Sequence, residues 1–168
     1  METSSRLRIL SKPMKSSLLL AIVCLFAVSQ LVGCAPAKPE IVPVTVTVKS
    51  AKGQPMNNVQ VKFVPQIEGL DGNAIAVGVT DDQGSCQPML RGSEDPGCYA
   101  CLHKIEVSEG PIPDDIRSAY ASDGGASAKT FSQRLKHRPI PKQYTRLNTT
   151  PLSYTPSADS SEYEIVLE

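Results

Sequence analysis

This chain contains no tryptophan, and aromatic residues make up only 5% of its 168 positions. That scarcity weighs against a sugar site that depends on aromatic stacking platforms. Charge of one sign is also missing. The 17 basic residues are matched by 17 acidic ones, and nothing in that balance points to nucleic acid. Long apolar runs are missing too. The stretch from Leu18 to Val32 is 15 residues, whereas a spanning helix needs about 20. No internal repeat is present, and no segment reads as a long helix.

Four basic residues (Arg6, Arg8, Lys12, Lys15) precede the apolar stretch, and Leu31-Val-Gly-Cys34 closes it. A basic segment, a short apolar core and small residues at a cut site form a secretory signal. The closing four residues resemble the bacterial lipobox, in which a small residue precedes an obligatory Cys. The resemblance implies a lipoprotein signal peptide at 1–33, cleavage before Cys34 and diacylglycerol on the Cys34 thiol. Each buried acyl CH₂ contributes about 0.8 kcal/mol, and two chains suffice for stable attachment. The expected location is the cell envelope, lipid-anchored on the non-cytoplasmic side. Ala35 leans toward the outer membrane, since Asp at that position marks inner-membrane retention in some bacteria.

Four of the basic residues and one acidic residue precede Cys34, so the remaining 135 residues carry 13 basic and 16 acidic side chains. That length suits one domain with a core of its own. Residues 34–42 read as the lipid-anchored tether, punctuated by Pro36 and Pro39. Residues 43–168 read as the domain.

From Pro43 onward the apolar period is two, the signature of half-buried strands. Val44, Val46 and Val48 alternate with Thr45, Thr47 and Lys49, Val59, Val61 and Phe63 alternate with Gln60, Lys62 and Val64, and Ile75, Val77 and Val79 give a third alternation. Lys52-Gly-Gln-Pro55 and Thr80-Asp-Asp-Gln-Gly84 read as turns. Tyr99, Cys101, His103, Ile105 and Val107 share one parity and predict the longest strand. Tyr163, Ile165 and Leu167 predict the last. The inward set is then Val46, Val61, Phe63, Val77, Tyr99, Ile105, Ile165 and Leu167. Alternation is lost at about 108–141, which reads as a long insertion with a helical turn or two around Ser127–Lys136. Short strands with Gly/Pro turns predict an all-β fold.

Three motifs carry a resemblance. Gly53-Gln-Pro55 leads into Val59-Gln-Val61-Lys-Phe63, Thr80-Asp81-Asp-Gln-Gly84 forms a Thr-Asp-x-x-Gly turn, and Pro96-Gly97-Cys-Tyr99 precedes Lys104-Ile-Glu-Val107. Ile140-Pro-Lys-Gln-Tyr144 and Thr150-Pro-Leu152 complete the pattern. Together they resemble the carboxypeptidase regulatory-like, transthyretin-like domain of small bacterial lipoproteins. The resemblance implies a single transthyretin-like (prealbumin-like) β-sandwich of about seven strands, usually non-catalytic. The cysteines Cys86, Cys98 and Cys101 depart from it.

Cys86 stands after the Gly84 turn, where the resemblance implies an inward apolar residue. Cys101 shares parity with Tyr99 and Ile105. A Cys86–Cys101 disulfide is therefore expected, with Cys98 pointing outward; unpaired thiols are the alternative. Cys86, Cys98, Cys101 and His103 have the count and chemistry of a zinc site, but Cys98 and Cys101 should diverge along a strand, and no metal is expected. His103-Lys-Ile-Glu106 spells a His-x-x-Glu zinc motif whose odd spacing puts the two on opposite faces. Asp81 and Asp82 offer too few oxygens for calcium and suit a turn.

Between Lys129 and Arg146 stand Lys129, Arg134, Lys136, Arg138, Lys142 and Arg146, with no acid among them. They are candidates for contact with a polyanion or membrane surface. The functional reading is a non-enzymatic structural or interaction module with no cofactor. The alternative is a small-ligand or polysaccharide-binding module using the 108–141 insertion. The partners expected are the membrane, through the lipid anchor, and an envelope protein or polysaccharide; nucleic acid is not among them.

Overall fold

A computed structural model describes residues 38–168. The expected signal peptide, Cys34 and the start of the expected tether lie outside the described residues. The period-two segments become strands, as their alternation requires. Strand β1 is Ile41–Val42, inside the stretch expected as tether, and β2 is Thr45–Ser50. The central hairpin partners are β3 (Val59–Pro65) and β4 (Ala76–Val79). Short strands β5 (Ser85–Cys86), β6 (Met89–Leu90) and β7 (Cys98–Tyr99) follow. Then come β8 (His103–Glu109), β9 (Ser153–Tyr154) and β10 (Glu162–Leu167).

Among the described residues these strands form three sheets. The largest runs β6-β4-β3-β8-β9 and is antiparallel throughout; the second runs β10-β2-β5; β1 and β7 pair alone. Strand β10 lies parallel to β2, with Ile165 opposite Val48. Val46 and Val48 from the second sheet share one core with Val59, Val61, Phe63, Ile105 and Val107 from the first. Phe63 joins the two sheets. Its ring meets His103 and Tyr154 on its own sheet and Tyr163 on β10 edge-on, at centroid distances of 5.8, 6.4 and 6.5 Å. The fold is all-β in character, with two helices added.

Both helices fall in the expected insertion. Helix α1 is Asp114–Asp123 and α2 is Ala126–Arg134. Pro113 precedes α1, and Asp114 and Asp115 occupy its first turn, where carboxylates favour the helix N-terminus. The Asp123 carboxylate accepts from the N–H groups of Gly125 (2.8 Å) and Ser127 (2.9 Å), capping α2. The helical structure is thus longer than a turn or two and begins earlier. Neither helix is long and apolar enough to cross a membrane.

Three expectations about strands are corrected. The long strand from Tyr99 to Val107 is two strands, broken at 100–102, where the Cys101 N–H donates to the Tyr99 carbonyl at 2.8 Å. Parity does not carry across that break. Cys98 is therefore fully buried rather than outward, and Tyr99 is only partly buried. In β4, Val77 is half-exposed and Val79 exposed, while Ala76 and Gly78 face the core. The reason is space. A Cβ on Gly78 would lie 2.9 Å from the Cys86 sulfur and 3.2 Å from the Pro88 backbone. Only the smallest side chains fit on that face, so the larger ones turn outward.

Candidate functional site

The reactive side chains of the sequence lie inside the core. His103 is fully buried. Its Nδ1 donates to the Cys101 carbonyl at 2.8 Å, and Nε2 lies 3.9 Å from the Cys101 sulfur. Burial holds the His103 ring below its ordinary pKa, against the opposing Cys101 bond, so the ring is neutral. Glu106 sits on the opposite face, bound by Lys62 at 2.9 Å, as strand parity requires. Burial, reinforced by Cys101, pushes the Cys98 thiol up to about 12. Burial, reinforced by the Asp81 carboxylate, pushes Cys86 up to about 11. Cys101 is raised by burial as well. Thiols held protonated are poor nucleophiles and poor ligands.

Cys86, Cys98 and Cys101, the cysteines among the described residues, are free. The expected Cys86–Cys101 bridge is not present, because Cys86 lies on β5 against β2 while Cys101 lies in the break leading into β8 of the other sheet. The Asp81 carboxylate accepts from the N–H groups of Gln83 and Ser85, each at 2.9 Å. It closes the turn, as the sequence suggested.

Two of the surface grooves bear on the candidate residues. One lies on the outer face of the larger sheet and has a volume of about 640 Å³. Ile75, Val77 and Met89 form its apolar floor, flanked by Gln60, Lys62 and Arg91. It exists because β4 turns its larger residues outward. Lys62 is already paired with Glu106.

The second groove lies at the Ser50 end of β2. It is made of two clefts that share His137. The first, of about 440 Å³, is lined by Arg134, Lys136 and His137 from the insertion, by Gln54 and Asn57 from the approach to β3, and by Asp82 from the turn after β4. The second, of about 230 Å³, includes Ser50, Lys52 and His137. Asn57 donates to the Asp82 carboxylate at 3.2 Å. Lys52, Arg134 and Lys136 are exposed, and among the described residues they form no ion pair. His137 has a left-handed backbone, φ 61°, a conformation that costs a non-glycine residue about 1–3 kcal/mol and gathers at functional sites. The Ser50 hydroxyl is buried without a hydrogen-bond partner among the described residues, at a cost of about 1–3 kcal/mol.

Arg138 holds this arrangement in place. Its Nη2 donates to the carbonyls of Asn57 (2.7 Å) and Asn58 (3.2 Å), its Nη1 to Lys136 (3.0 Å), and its Nε to the Glu109 carboxylate. Its side chain is 13% exposed. Of the six basic candidates, Arg138 is thus an internal clasp rather than a surface contact. Arg134 and Lys136 line the groove. Lys129, Lys142 and Arg146 are exposed outside it. Arg138→Ala is expected to cost about 2–3 kcal/mol in thermal unfolding, the scale of hydrogen bonds to a charged group. Lys142→Ala should stay within about 0.5 kcal/mol; equal effects would contradict the clasp.

Sequence reasoning missed Gln54, Asn57, Asp82, Ser50 and Lys52. They come from the end of β2, the Lys52–Pro55 turn, the approach to β3 and the turn after β4, and they meet only through the fold, so no local spacing marks them. Fold and site together define an all-β domain with a basic groove beside a helical insertion. No family model, no curated protein and no solved structure matches the chain.

Proposed function

We propose that this chain is a lipid-anchored, non-enzymatic interaction module of a bacterial cell envelope, built on a transthyretin-like β-sandwich. The observation that carries this reading is Leu31-Val-Gly-Cys34 behind a basic segment and a short apolar stretch. The transthyretin-like part is supported by the three motifs, each of which falls in a turn or at a strand start. Gly53-Gln-Pro55 precedes β3, Thr80–Gly84 joins β4 to β5, and Pro96-Gly97 precedes β7. The non-enzymatic part is supported by the burial of His103 and the raised thiols. The alternative binding role is supported by the groove that the insertion completes.

The test is Cys34→Ser in a lipoprotein-processing bacterium. The wild-type chain should fractionate with membranes and yield an N-terminal peptide carrying diacylglycerol on Cys34. The variant should remain unprocessed or be released. A variant that is cleaved and still membrane-bound like the wild type would overturn the anchor.

A further inference from the structure

We propose that the two clefts meeting at His137 form one binding site for a carboxylate-bearing glycan. The inference rests on the envelope reading above only for where such a polymer is met; the site itself stands on its own geometry. Three unpaired cations, Lys52, Arg134 and Lys136, line the clefts against a single acid, Asp82. The net field favours an anion. Arg134 and Lys136 supply donors for a carboxylate.

The other groups select what carries the carboxylate. Gln54 and Asn57 offer amide donors and acceptors, and the Asp82 carboxylate offers only acceptors. An acceptor-only group beside cations penalises a bare phosphate or a nucleic-acid backbone and suits a polymer rich in hydroxyl donors. Apart from the His137 imidazole no aromatic ring lines either cleft, so the successive base stacking that single-stranded nucleic acid uses has no run of platforms. Neither does aromatic stacking on a neutral sugar. Recognition here is by charge and hydroxyl hydrogen bonds.

The Ser50 hydroxyl is the second, independent sign of a ligand. Ser50 is among the residues that line the smaller cleft, and its hydroxyl is buried with no partner among the described residues. A ligand hydroxyl entering past Lys52 supplies one. His137 stands between the clefts with its backbone in the left-handed region, held there by the Arg138 clasp. That conformation places its side chain on both clefts at once, so one extended chain of sugar units can run past it from Arg134 to Ser50.

The test is calorimetric titration of the detergent-solubilised full chain with tetragalacturonate, maltotetraose, inorganic phosphate and hexaglutamate. Tetragalacturonate should bind at least about tenfold more tightly than the other three, the scale of one charge-assisted contact. The Arg134→Ala, Lys136→Ala double variant should weaken it at least about tenfold. The Lys129→Ala, Lys142→Ala pair removes the same charge outside the groove and should change it less than about twofold. Asp82→Ala gives a test of sign. It weakens a hydroxyl-bearing ligand and strengthens a bare anion. Ser50→Ala should also weaken tetragalacturonate.

No binding of tetragalacturonate overturns the proposal. Equal losses in the two double variants, tighter binding in Asp82→Ala, or phosphate or hexaglutamate binding as well as tetragalacturonate would do the same. Because binding is read on solubilised protein, its outcome is separate from that of the Cys34 experiment. Binding with failed lipidation removes only the envelope reading, and lipidation without binding removes only the glycan site.

Discussion

Phe63→Ala is expected to lower stability by about 3–5 kcal/mol, the range for removing a buried aromatic side chain. Phe63 is fully buried at the centre of the larger sheet. Its ring makes edge-on contacts with His103, Tyr154 and Tyr163, each worth about 0.5–1.5 kcal/mol beyond the area it buries. Tyr163 comes from the other sheet and stacks on Tyr154 at 4.4 Å. Deleting Phe63 therefore opens a cavity at an aromatic cluster that ties the sheets together. For a domain of this size the melting temperature should fall by roughly 10–20 °C. Thermal unfolding followed by circular dichroism measures it. A midpoint unchanged from wild type would contradict the register of β3. Phe63→Leu keeps most of the volume and should cost less than half as much.

The same residue shows what the sequence could reveal. Val59, Val61 and Phe63 alternate with Gln60, Lys62 and Val64, and the structure buries the first set. The same holds for Val46, Ile105, Ile165 and Leu167. In each case one face of a strand meets one core, and period two is the whole of the physics. Strand β4 fails that logic. Ile75, Val77 and Val79 look like the inward face, but Cys86 and Pro88 crowd the space opposite Gly78. That crowding is set by a neighbouring strand and is invisible along β4 itself.

The candidate site divides in the same way. Arg134 and Lys136 were legible as part of a basic run. That run did not reveal that Arg138 turns inward, because Glu109 and the Asn57 and Asn58 carbonyls reach it only through the fold. Helix α1 was missed because it has no sustained apolar face; the signal that marks it is Pro113 followed by Asp114 and Asp115. The broken parity at 100–102 had no marker either, since Ala100 and Leu102 are neither Gly nor Pro.

Gly84→Ala is expected to cost about 2–5 kcal/mol. Gly84 has φ +74°, and a Cβ there would lie 2.7 Å from the Val48 carbonyl oxygen and 3.0 Å from the Met56 nitrogen. These two atoms are hydrogen-bonded to each other at 3.0 Å, and the Val48 N–H donates to the Gly84 carbonyl at 2.8 Å. The methyl group would enter between groups that neither rotate nor yield. The left-handed conformation contributes about 1–2 kcal/mol, and the overpacking about 1–3 kcal/mol more. Gly53→Ala separates the two contributions. Gly53 has φ +73°, but nothing lies within 4 Å of its Cβ position, so that variant should lose only the conformational part. Melting temperatures of the two variants, measured together, decide the matter. Equal losses would mean that the Gly84 turn does not pack against β2 as the structure has it. A clearly larger loss for Gly84→Ala ties the Thr80–Gly84 turn, and with it Asp82, to the end of β2 where the basic groove is built.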